Sequence, residues 1–217
     1  NLISDLPTQG KPLIEAPKRI FINADSATLA SQGLTDLDIV AKNTSDSWLL
    51  DINAKEARME VALYKDWLSK GVNINVDFIQ ISKWQEQRDE LAESKTFIPE
   101  IGSLPPINFS CRRCQYLDMD LGKVDFRLSR SATGMSIDNL RLKNTHGLFN
   151  GDGDWFLIDG KSSTRLKGEF TSSDFGAFLK GFDFNSGIKD SEVSSNFDLS
   201  WQRAPYEFNF DSLNGQI

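Results

Sequence analysis

Chemistry in this chain would have to come from scattered carboxylates, one pair of cysteines and one histidine. Asp118 and Asp120, and again Asp152 and Asp154, stand two residues apart. On an extended strand that spacing points both carboxyls the same way at about 7 Å, a separation at which paired acids can hydrolyse glycosides. The acidic residues are otherwise spread over turns and polar faces, as solvated charge is. Asn150-Gly151-Asp152-Gly153-Asp154 has the outline of a calcium loop. An EF-hand would need Gly where Trp155 stands and Glu where Lys161 stands, and tandem glycine nonapeptides are absent. His146 has no Ser or Cys partner motif, and no GxSxG, P-loop or dinucleotide fingerprint occurs. The reading is a protein without catalytic residues, metal site or cofactor.

Cys111 and Cys114 form a CRRC. One cysteine pair and one histidine do not make a four-ligand zinc site. A thioredoxin-type motif needs a helix start to depress the thiol pKa, whereas Gln115-Tyr116-Leu117 reads as strand. Arg112 and Arg113 would favour a thiolate. A structural disulfide, inert thiols and redox chemistry all stay open, and Cys111–Cys114 is a candidate disulfide.

The 217 residues suffice for one substantial domain or two small ones. A net charge of -7 argues against nucleic acid, which needs clustered cations, and against electrostatic docking on anionic headgroups. The 15 Phe and 5 Trp are strand-favouring residues with a large apolar payload. No apolar run reaches bilayer-spanning length, and no basic-then-apolar signal peptide is present. The abrupt start at Asn1 and the stop at Gln216-Ile217, inside an expected strand, read as the ends of a fragment.

The elements that would position these side chains are strands. Phe149, Gly151, Gly153 and Trp155 share one face of an extended chain and Leu148, Asn150, Asp152 and Asp154 the other. Val193, Ser195, Phe197, Leu199 and Trp201 alternate likewise, as do Tyr206, Phe208 and Phe210, and Val72, Ile74, Val76 and Phe78. Ala57 restarts out of phase after Lys55-Glu56, which predicts a bulge or turn. Ser82–Ser94 is charged and free of Gly and Pro, which predicts a surface helix near 83–93; Phe175, Phe178, Leu179 and Phe182 predict another near 174–181. Pro99, Pro105 and Pro106 mark a linker or crossover. The chain divides into a first β segment, 1–106, and a second, 107–217. Leu37–Thr44 and Leu140–Thr145 are similar, and each precedes a Trp-led stretch, a weak internal repeat of the kind seen in stacked architectures.

The second half carries a longer pattern: Leu104-Pro105-Pro106-Ile107, Asp120-Leu121-Gly122-Lys123, Gly134–Leu140, Gly151–Trp155, Asp174–Leu179, Leu199-Ser200-Trp201, Ala204-Pro205 and Leu213-Asn214-Gly215. In this order the pieces resemble the AsmA-like superfamily in its YhdP-type, TamB-related branch. The first hundred residues match in texture only, and the CRRC lies outside the pattern. The resemblance implies a fragment of a Gram-negative periplasmic protein, anchored in the inner membrane by an N-terminal helix that the fragment lacks. It further implies a bridge-like lipid transfer protein.

The expected fold is mainly β: an elongated, twisted and curved antiparallel sheet forming an open apolar groove (a β-taco or trough), with the two short helices. Taken alone, alternating Phe, Val and Leu fit an ordinary sandwich core; the resemblance turns them into a groove for phospholipid acyl chains. The candidate lipid-binding residues are Ile74, Val76, Phe78, Val124, Phe126, Leu128, Phe149, Trp155, Phe197, Leu199, Phe208 and Phe210. Inner- and outer-membrane components would meet the two ends of the whole protein. The alternative is a scaffold in outer-membrane protein assembly, working through exposed sheet edges. A carbohydrate-binding sandwich would need aromatics in a row on the polar face.

Overall fold

The computed structural model describes residues 17–29, 32–81, 101–116, 119–158, 160–181, 187–188, 191–207 and 210–217. Its strands are β1 (Arg19–Leu29), β2 (Gln32–Asn43), β3 (Ser47–Asn53), β4 (Ala57–Tyr64), β5 (Val72–Ile81), β6 (Ile107–Tyr116), β7 (Met119–Arg130), β8 (Gly134–Lys143), β9 (Gly147–Ile158), β10 (Lys161–Ser172), β11 (Val193–Gln202) and β12 (Asn214–Gln216). The described helices are short, α1 (Trp67–Lys70) and α2 (Phe175–Gly181). All the strands form one open, curled sheet in chain order, consistent with a trough.

Neighbouring strands pair antiparallel, with one departure from the expected pattern. β5 and β6 run parallel, from Val72↔Ile107 to Ile81↔Tyr116. A parallel pair needs a crossover that returns the chain to the starting end, and the described residues 101–106 lead from it into β6. The sheet continues through this junction without a break. The helix expected near 83–93 lies outside the described residues. The one expected near 174–181 is α2, whose first turn is tied by the Ala177 N–H donating to Asp174 Oδ1 at 3.0 Å.

A row of bulges runs across the sheet. Asp36 in β2 and Asn139 in β8 have positive φ, 50° and 54°, in the left-handed region that Asp and Asn tolerate. The β4–β5 register shifts at Arg58/Met59, β6–β7 between Cys111 and Cys114, β7–β8 between Asp125 and Arg127, and β8–β9 between Ile137 and Leu140. Bulges bend strands and add local twist, so aligned bulges fold a broad sheet over on itself.

The internal similarity has a structural counterpart here. Each leucine of the pair follows the left-handed residue, as Asp36-Leu37 and Asn139-Leu140. Each copy then runs into a matching turn, with Thr44 N–H donating to Ser47 O and Asn144 N–H to Gly147 O. The tryptophans do not correspond: Trp48 pairs with Asn43 at the start of β3, whereas Trp155 pairs with Met135 near the end of β9.

One face of the sheet is apolar. Leu34, Leu37 and Ala57 form one buried cluster, and Val76, Cys111, Cys114 and Val124 a second, bridged by Met59 and Ile79. The third contains Met135, Ile137, Trp155, Leu166, Phe197 and Trp201. Leu142, on the edge of the second, pairs with Phe149 of the third, so the apolar surface crosses from β2 to β11. The charged residues Asp51, Asp125, Arg141, Asp152, Lys167 and Asp198 occupy the alternating positions.

Candidate functional site

The apolar face is the candidate site, and the strand pairing decides which expected residues reach it. Ile74, Val76, Val124, Phe126, Leu128, Phe149, Trp155, Phe197 and Leu199 all belong to its clusters. Phe126 stacks on Phe109 with ring centroids 4.8 Å apart, and Phe149 on Phe197 at 4.3 Å. Offset stacking of this kind adds to area burial. The burial is graded: Val76 and Trp155 are each 3% exposed, while Ile74, Phe126 and Phe149 are half-buried.

Phe78 goes elsewhere. β5 passes from Val76, opposite Cys111, to Ile79, opposite Cys114, and against β4 its register shifts between Arg58 and Met59, which leaves Asp77 as the extra, bulged residue. Phe78 then lies opposite Arg58, with the guanidinium groups of Arg58 and Arg113 at 5.7 and 5.4 Å from its ring. Ile79 takes its place on the apolar face. Simple alternation carried past Val76 selects Phe78, and only the bulge reverses the choice. Phe208 lies outside the described residues. Phe210 opens a 3-10 turn, Phe210–Ser212, instead of continuing a strand through Tyr206. The chain turns at 204–207, where Glu207 N–H donates to Ala204 O.

Glycines on this face make room for neighbours. A Cβ on Gly151 would stand 3.2 Å from the Phe197 ring, and one on Gly153 would stand 2.0 Å from the Arg165 carbonyl and 2.7 Å from Leu166. Residues 150–154 are therefore a regular stretch of β9 paired with β10, and the Asp152 Oδ1 accepts the Asn139 N–H at 2.7 Å. Phe109, Leu142, Leu166, Phe170 and Trp201 also face the apolar side and were not among the expected lining residues. Their signal was cross-strand position, as with Phe109 opposite Phe126, which one strand read alone does not supply.

Both ends of the strands in the second half are covered. At one end Ile101 and Leu104, from the crossover, pack on Met135, Trp155 and Trp201. The Trp155 indole donates to Ser162 Oγ and that of Trp201 to the Ala204 carbonyl, which satisfies both N–H groups. At the other end α2 sets Phe175 and Phe178 against Phe170, with ring centroids 5.8 and 4.6 Å away.

The opposite face is polar. A depression of about 470 Å³ is lined by the polar residues Asn73, Asn75, Asn108, Ser110, Asp125, Arg127 and Asn139 together with Phe109 and Phe126, so the stacked Phe109–Phe126 pair also borders it. Burial pushes the Asp125 carboxyl up, but hydrogen bonds from Ser110 and Lys123 outweigh it and hold the group below its ordinary range. The Arg165 guanidinium grips Asp198 with bonds of 2.8 and 2.6 Å and likewise holds its carboxyl low.

A disulfide joins Cys111 and Cys114. The two arginines between them project to the polar face, where they contact Asp77, so they do not serve the sulfurs as thiolate-stabilising cations. Among the described residues no helix is long and apolar enough to cross a membrane.

The family model for the YhdP protein matches residues 1–217. The chain is similar to an intermembrane phospholipid transporter of Escherichia coli (strain K12), YhdP, at 23% identity over 206 residues. That alignment covers 93% of this chain and 16% of the relative, so the chain spans about a sixth of the relative's length. No solved structure matches.

Proposed function

The chain belongs to the YhdP family, and from that premise we propose that it is one segment of a periplasmic bridge that carries phospholipids between inner and outer membrane. The acyl chains would slide along the apolar face while the headgroups stay in water. The observation that carries the reading is the apolar surface running across the strands from β2 to β11, with charge confined to the alternate positions. The residues proposed to touch lipid are Ile74, Val76, Val124, Phe126, Leu128, Phe149, Trp155, Phe197 and Leu199. Phe78 leaves this set and Ile79 and Phe109 join it.

The energetics favour such a path. Each exposed methylene costs about 0.8 kcal/mol in water, so a two-chain lipid crossing bare solvent would face a barrier on the order of 20 kcal/mol. A continuous apolar wall covers the chains throughout, and nearly equivalent successive sites leave no deep well between them. No step makes or breaks a covalent bond, so the segment works as a conduit and not as an enzyme. The two segments, 1–106 and 107–217, would be successive stretches of it that meet at the parallel β5–β6 pair. Anchoring in the inner membrane, and contact with inner- and outer-membrane components at its two ends, would be properties of the full-length protein.

The test is photo-crosslinking in the full-length protein, with the probe at Phe126, at the adjacent Arg127 and at Phe78. Phospholipid adducts at Phe126 alone are the expected result. Adducts to protein at all three positions would replace the conduit with an assembly scaffold. Lipid adducts at Phe78 but not Phe126 would assign the path to the other face.

A further inference from the structure

We propose that the Cys111–Cys114 disulfide is a redox-sensitive staple that holds the paired excursion of β5 and β6 and keeps the apolar face in register. The inference rests on the reading of that face as the lipid path. Three residues along a regular strand span about 10 Å and end on opposite faces. Here the Cα atoms of Cys111 and Cys114 are 6.0 Å apart and both side chains are buried on the apolar face, 0% and 7% exposed. The strand is therefore folded out of line, with Arg112 and Arg113 in the excursion. β5 makes the matching excursion at Asp77 and Phe78, since Val76 and Ile79 pair with the two cysteines.

The two excursions are fastened together on the polar face. Asp77 receives Arg112 at 3.1 Å, Arg113 at 3.4 Å and Arg58 at 3.7 Å. The arginines are exposed and Asp77 is half-buried, so each contact is worth little singly. The covalent link on the buried side is the stronger half of the clamp.

What the link prevents is a slip in phase. If β6 ran straight on from Cys111, alternation would bring Arg113 and Gln115 to the apolar face and turn Cys114 away. A guanidinium would then stand among Val76, Phe109 and Val124, in the wall that acyl chains must pass. The oxidised form keeps two sulfurs there instead, which behave as small apolar groups. Formation is a thiol–disulfide exchange: the two thiols give two electrons and two protons to an external disulfide, which leaves as two thiols. Such bonds persist in oxidising compartments, the periplasm included.

The test uses the full-length protein. Alkylation and mass analysis in cells should show the pair oxidised; two free thiols would overturn the proposal. Reduction with dithiothreitol, or Cys111→Ala with Cys114→Ala, should speed amide exchange in β5–β7 at least about tenfold while leaving β9–β11 unchanged. Unchanged exchange in β5–β7 would sink the staple whatever the lipid result. If the double variant does not fold, the reduced wild type supplies the same comparison. Phospholipid adducts at Phe126 should fall severalfold on reduction, and this fall should vanish in Arg113→Leu, which carries no charge into the wall. Adducts unaffected by reduction, or a fall that persists in Arg113→Leu, would overturn the register argument. Faster exchange with no lipid adducts in either redox state would keep the staple and discard the conduit.

Discussion

At the scale of single residues, the apolar face depends as much on missing side chains as on large ones. Gly153 faces Leu166 and Gly151 faces Phe197, and neither has room for a Cβ. Gly153→Ala is expected to lower stability by about 1–3 kcal/mol through overpacking, read as a shift in the urea midpoint with unchanged slope. Phe126→Asp should abolish phospholipid crosslinking at neighbouring Phe109 probes, because an unpaired carboxylate would sit in an apolar wall. Arg127→Asp, on the polar face beside Asp138, should leave that crosslinking in place. The glycine-aspartate alternation that resembles a calcium loop is explained by the same geometry, with glycines on one face and solvated carboxylates on the other.

At the scale of elements, bulges and turns set the path of the strands. Asn139 has a φ of 54° at the β8–β9 irregularity. Asn139→Val should cost roughly 1–2 kcal/mol, since a β-branched residue resists this conformation, while Asn139→Gly should be close to neutral. Thermal unfolding of the two variants distinguishes them. The β2 excursion at Asp36 is fastened by the β3–β4 turn, where Glu56 accepts hydrogen bonds from the Thr35 N–H at 2.7 Å and from the Thr35 hydroxyl, and Lys55 pairs with Asp36 at 2.7 Å. Burial raises the Glu56 pKa, but the Thr35 hydrogen bonds outweigh it, so the folded value lies below the ordinary 4.5. A depressed carboxylate contributes stability that is complete above its unfolded value and is lost as pH falls through the folded one. The protection of the Thr35 amide, taken relative to its intrinsic exchange rate, should accordingly fall on acidification below about pH 4.5, and Glu56→Gln should remove that dependence.

At the scale of the whole molecule, a curled sheet with one apolar side leaves hydrocarbon-facing surface partly open. Ile22 is 49% exposed and Leu63 37%. Such a surface should bind an apolar fluorescent probe or a detergent micelle, and Phe126→Asp should weaken that binding severalfold in a fluorescence titration. Among the described residues the outermost strands of the sheet are β1 and β12. Proline placed in an edge strand would disturb an assembly scaffold and leave a conduit working, whereas charge on the apolar face does the reverse. The two substitutions together separate those modes.

The sequence by itself determined the class of fold, the apolar alternation, α2 and the turns, because each follows from contacts within a few residues of chain. It also carried the family resemblance, which the match across residues 1–217 bears out. What it left open was phase. Phe78 and Ile79 are equally apolar, and a single bulged residue, Asp77, decides which of them faces inward. The parallel β5–β6 pair and the meeting of Cys111 with Cys114 on one face were likewise decided by the tertiary structure. Each depends on how a strand registers with a neighbour far along the chain, and a period of two has no memory of register once a single residue is inserted.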